Sequence, residues 1–231
     1  MASTQKSSSS SEESTLRLPA SLYIERRIMT AIELSEQSAG GRGCSWFIPA
    51  VGDPAREINL CQEGRVYKPL AEAPPQPLAI ARQLEDILEG VWLPASESDT
   101  KGRAFVITNI NIGSDEVMSL EDSKVQDICL DALGISNEAR PHATFRRRDW
   151  DEERNRHGFC YTDEDFEEED LQLDNPDSDR SKVIRATQVM SDELQGGFEF
   201  NFDERVICGP VLYGGFVGQN IVGILSMRVW T

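Results

Sequence analysis

The chain has 231 residues, 39% of them hydrophobic, and a formal net charge of −17. That length and apolar content suffice for one domain-sized core, while a surface so negative disfavours nucleic acid and anionic membranes, which are held by clustered lysine and arginine. Five cysteines (Cys44, Cys61, Cys129, Cys160 and Cys208) without paired spacing, and an N-terminus lacking an apolar stretch of secretory type, predict free thiols in a cytoplasmic or nuclear setting.

Residues 1–18 hold seven serines and two glutamates and are expected to be a disordered tail, because they have little apolar surface to offset the entropy of ordering. From Pro19 to the end the pattern predicts one α+β domain with a mixed or antiparallel sheet, two main amphipathic helices and a C-terminal β-meander. Leu22-Tyr23-Ile24, with Ile28, Met29, Ile32 and Leu34 beyond, suits a strand or a helix equally. Gly40–Gly43 breaks the chain, Cys44–Ile48 reads as a short strand ended by Pro49, and Arg65-Val66-Tyr67 as a weak one. The proline-rich stretch 73–77 is a stiff connector.

Between Leu78 and Val91 the apolar positions Ile80, Leu84, Ile87, Leu88 and Val91 follow helical spacing. Ala104–Ile112 is uncharged and β-branched, the mark of a central strand. A second helix is predicted over Leu120–Leu133, with Ser119 and Asp122 resembling a capping box and Gly134 closing it. The stretch from about 146 to 181 reads as a long loop. Ten acidic and no basic residues lie between Thr162 and Asp179, and disorder is expected there, with order resuming near Val183.

Phe198-Glu199-Phe200-Asn201-Phe202 alternates as a half-buried strand, and strands over about 206–217 and 221–230 complete the meander. From Val206 to Met227 no residue is charged, long enough to cross a bilayer. Gln219, Asn220, Pro210 and five glycines favour a hairpin turning at 218–220 over a tail anchor, which stays the minor alternative.

No cofactor or metal is expected. Only His142 and His157 could serve a cysteine nucleophile as base, and both fall beside or within the polar loop. His157 and Cys160 have a ligand-like spacing without companions to complete a zinc site, and the stretch 174–179 lacks the glycine and glutamate of a calcium loop. The C-terminal glycines spell no phosphate loop and suggest bulges or close backbone approach.

Aromatic residues interleaved with charge fit an interaction segment. Arg146, Arg147 and Arg148, with Trp150, Phe159, Tyr161 and Phe166 as anchors, are therefore the candidate partner-binding residues, facing a basic or mixed-charge protein. The expected role is a non-enzymatic scaffold, subunit or assembly factor of an intracellular complex. The rival is an enzyme or small-molecule binder with a cavity against the glycine-rich meander, using carboxylates such as Glu199 or Asp203.

Overall fold

Residues 21–24 resolve the first ambiguity as a strand. In the computed structural model, which describes residues 20–24, 47–50, 53–59, 67–94, 99–110, 119–135, 139–161, 175–206 and 208–229, they form β1 (Ser21–Ile24) of a seven-stranded sheet. Its other members are β4 (Lys68–Pro69), β7 (Arg103–Thr108), β8 (Ala143–Arg147), β9 (Gln195–Phe202), β10 (Cys208–Val217) and β11 (Asn220–Val229), ordered β4-β1-β7-β11-β10-β9-β8. Among the described residues, the β1–β4 pairing is the one parallel pairing of this sheet. Two further strand pairs form separate small sheets, β2 (Phe47–Ala50) with β3 (Asp53–Asn59) and β5 (Trp92–Pro94) with β6 (Asp99–Lys101). Pro49 does not end β2, which runs one residue further with a register shift at that point. β7 stops at Thr108, short of the expected Ile112, because Asn109 turns into a positive φ of 61°.

Four α-helices occur among the described residues: α1 (Pro75–Ile87), α2 (Asp122–Leu133), α3 (Trp150–Arg154) and α4 (Asp179–Glu193). In α1, Pro77, Ile80, Ala81 and Leu84 are buried at helical spacing, and proline is well placed in its first turn because no intrahelical N–H partner is needed there. α2 buries Val125, Cys129, Leu130, Ala132 and Leu133 and ends at Gly134, left-handed at φ 69°. The N-cap is Glu121, without a side-chain bond, rather than Ser119.

The region expected to be a loop from 146 to 181 is corrected at both ends. Ala143–Arg147 pairs with β9 as a strand. Asp149 then caps α3, its carboxylate accepting from the amides of Asp151 and Glu152, and Trp150 is buried. Ser178 caps α4 by accepting from Ser181 N–H. Residues 1–19 and 162–174 lie outside the described residues, and so does the disorder expected of them.

The helices cover both faces of the sheet. On one face α2 packs over Phe105, Ile107, Phe198, Phe200, Leu212 and Ile221. On the other, α1 and α4 pack over Val106, Val211, Tyr213, Val222 and Ile224, joined by Trp150 and Phe159. Alternate residues of β10 and β11 thus point into two different cores, which explains the long uncharged run. Full burial of each such side chain stabilises by about 1.5–3 kcal/mol. The run is a hairpin, and no helix among the described residues is long and apolar enough to cross a membrane.

Gly218 turns this hairpin at a positive φ of 55°, whereas Gly209, Gly214, Gly215 and Gly223 are explained by close approach. Gly214 and Gly223 face each other across β10 and β11, and a Cβ on Gly223 would lie 2.0 Å from the Tyr213 carbonyl oxygen. A register shift between Gly214 and Phe216 interrupts the β10–β9 ladder.

Candidate functional site

Strand alternation separates β8 and β9 into two chemistries. Phe145, Phe198, Phe200 and Phe202 belong to the α2 side, so the intervening residues face the opposite way. There the register sets Thr144 against Asn201 and Arg146 against Glu199. His142 and Asp203 continue it past the strand ends, Asp203 N–H donating to the His142 carbonyl at 2.8 Å.

This polar ladder is closely bonded. The Thr144 hydroxyl donates to Asn201 Oδ1, and Asn201 Nδ2 donates to Glu199 Oε1 at 2.7 Å. His142 Nδ1 and Asp203 Oδ2 are 3.2 Å apart, with the imidazole almost fully buried. Glu199 also meets Arg148 Nη1 at 2.6 Å and Arg228 Nη2 at 3.0 Å. Arg148 reaches Glu153 of α3 at 2.9 Å and stacks over the Trp150 ring at 5.7 Å. The expectation of a strand with Glu199 and Asn201 open to water is therefore corrected, since they are only 5% and 8% exposed. Their burial is made tolerable by partners, as charges away from water require.

Tyr213 stands opposite Glu199. Burial, and then the Glu199 charge, pushes its phenol well above the usual range. Nothing in this cluster presents a free carboxylate: both oxygens of Glu199 are engaged, and Asp203 Oδ1 accepts from Arg205 N–H at 3.0 Å. The open cleft at the foot of the ladder, about 390 Å³, is lined by Thr144, Asn201, Asp203, Glu204, Arg205 and Arg228 among others. A second open cleft of about 470 Å³ lies between the end of α1 and β6–β7, with Glu85, Glu89, Lys101 and Arg103 on its walls. No group of three or more His, Cys, Asp or Glu side chains able to hold a metal occurs among the described residues.

The candidate partner-binding residues separate into inside and outside. Trp150 is 3% exposed and donates from Nε1 to the Gly214 carbonyl at 3.2 Å. Phe159 is fully buried, its ring 5.0 Å from that of Tyr213. Both are core residues in this fold and cannot serve as surface anchors while it is intact. Arg148 is buried in the ion network, and Tyr161 is half-buried against the same core. Arg147 bonds to Asp122 at 2.7 Å and to the Leu120 carbonyl at 2.8 Å, lying over Phe145. Arg146 is exposed. Phe166 lies outside the described residues.

Arg140, Arg147, Arg148, Arg154 and Arg156 all form ion pairs. Arg146 forms none among the described residues. It sits on β8, at the end of the sheet order. The sequence shows these arginines but not the β8 edge that carries Arg146 and Arg147, because a strand whose one large apolar residue, Phe145, is followed directly by arginines has little apolar periodicity. No protein-family model matches the chain, and no curated protein is significantly similar to it.

Proposed function

We propose that the protein is a non-enzymatic interaction scaffold within an intracellular complex, presenting the charged surface around β8 to a protein partner. The observation that carries this reading is the contrast between Arg146 and its neighbours. Every other arginine from 140 to 156 is engaged internally, whereas Arg146 is exposed at the sheet's end and forms no ion pair among the described residues. The closed ion network around Glu199 supports the same reading, because both carboxylate oxygens are already taken by two arginines and an amide and neither is presented to a substrate.

A second reading rests on the His142–Asp203 pair beside the 390 Å³ cleft, a volume within the range of small-molecule sites. Native purification of the full chain from cells that express it separates the two. Recovery of a protein partner at fixed stoichiometry supports the scaffold. Recovery of a monomer carrying a bound small molecule, lost in Arg205→Ala, contradicts it and favours the cleft.

A further inference from the structure

Strand β8 ends the sheet, and its hydrogen bonding can be followed residue by residue. Asp203 N–H donates to the His142 carbonyl, and Arg148 N–H donates to the Gly197 carbonyl at 2.9 Å. In an antiparallel ladder such bonded pairs recur at every second residue. Residues 142, 144, 146 and 148 therefore turn their backbone groups towards β9, and Ala143, Phe145 and Arg147 turn theirs outward. The Ala143 carbonyl is taken by Gln126 Nε2 of α2 at 2.9 Å. The outward N–H and C=O groups of Phe145 and Arg147 have no partner among the described residues. Two residues two apart, each offering a donor and an acceptor, are the unit to which one further strand pairs. The opposite edge, β4, is only two residues long, so it offers no comparable length.

The side chains flanking that unit are cationic. Arg146, on the face of the polar ladder, is exposed and forms no ion pair among the described residues; Arg147, on the other face, is 34% exposed beside Asp122. An added strand alternates its side chains between these faces, so acidic residues at every second position would lie against Arg146.

We infer that the β8 edge binds an extended acidic segment of another protein by strand addition, with backbone bonds to Phe145 and Arg147 and a carboxylate on Arg146. This rests on the scaffold reading and names the surface and the chemistry of its partner, an acidic segment at this edge in place of the basic or mixed-charge partner expected from the net charge. Backbone pairing supplies affinity without sequence preference, and Arg146 selects for acid.

The test uses the full chain and a fluorescent peptide alternating valine with glutamate, followed by fluorescence anisotropy and residue-resolved amide exchange. Saturable binding should slow exchange at the Phe145 and Arg147 amides. Arg146→Glu, at an exposed and unpaired position, should keep the circular dichroism of the wild type and weaken binding by about tenfold or more. The same peptide N-methylated along its pairing edge, or carrying lysine in place of glutamate, should not bind. Absence of binding, binding without protection of those two amides, equal binding to Arg146→Glu, or self-association of the chain through this edge overturns strand addition. The first outcome would leave the arginines as guards against edge-to-edge pairing. These outcomes are distinguishable from failure of the scaffold reading, which native purification decides, since a partner could engage the side chains around β8 without pairing to its edge.

Discussion

Arg148 and Glu199 meet at 2.6 Å with side chains only 9% and 6% exposed, although 51 residues separate them in the chain. The pair ties β8 to β9, and Glu153 extends it to α3. An isolated buried charge is costly, so removing one partner is more damaging than the worth of the pair itself. Glu199→Ala is expected to lower the unfolding free energy by about 3–5 kcal/mol, read from urea denaturation. A loss below about 1 kcal/mol, the level of an exposed pair, would show that the network is solvated in solution.

Trp150 tests whether the segment after β8 is core. Its indole is buried, bonds to the Gly214 carbonyl and lies beside Gly197. Trp150→Ala should destabilise by about 3–5 kcal/mol. Thermal unfolding at the wild-type temperature would return this segment to the surface loop that its composition suggests.

Two buried acids set an alkaline limit. Burial raises the Cys129 thiol, and burial followed by the Glu199 charge raises the Tyr213 phenol. Both groups hold their protons more tightly folded than unfolded. Their contribution is therefore complete below the usual thiol and phenol values and declines as pH rises above them, because only the unfolded chain then ionises. Unfolding temperature should fall between about pH 9 and 11, less steeply in Tyr213→Phe. An identical pH profile for that variant would contradict the Tyr213 part. By the same burial, a thiol reagent at neutral pH should label Cys160, which is half-buried, well before Cys129.

The last strand should be indispensable. β11 lies between β7 and β10, and Ile221, Val222 and Ile224 are fully buried on its two faces. Truncation after Gly223 would also leave backbone groups of both neighbours unpaired, so the product should be insoluble or molten by near-ultraviolet circular dichroism. Gly223→Ala, placing a Cβ against the Tyr213 carbonyl, should cost about 3 kcal/mol or more. Cooperative melting of the truncated chain near the full-length temperature would place β11 outside the core.

The elements legible in the sequence were those whose burial has a period. Ile80 and Leu84 marked α1, the β-branched run marked β7, and three alternating phenylalanines marked β9. Helix α4 was hidden because its buried face, Val183, Ala186, Thr187, Val189 and Met190, has no leucine, isoleucine or aromatic residue and includes a threonine, directly after an acidic tract. Strand β8 was hidden because its one large apolar residue, Phe145, stands next to three arginines. The ion network escaped for another reason: a glutamate between phenylalanines reads as water-facing, and only the tertiary fold brings Arg148 and Arg228 to it. Trp150 and Phe159 were misplaced by the same logic, since charge nearby in sequence does not mean exposure.

The outward edge of β8 should be open in the isolated protein. Amide exchange followed by nuclear magnetic resonance on the free full-length chain tests it most directly. Thr144, Arg146 and Arg148 amides, which face β9, should be protected, while those of Phe145 and Arg147 exchange near the rates of unstructured peptide. Protection of Phe145 and Arg147 equal to that of their neighbours, in a chain that sediments as a monomer, would show the edge already covered and would contradict the account.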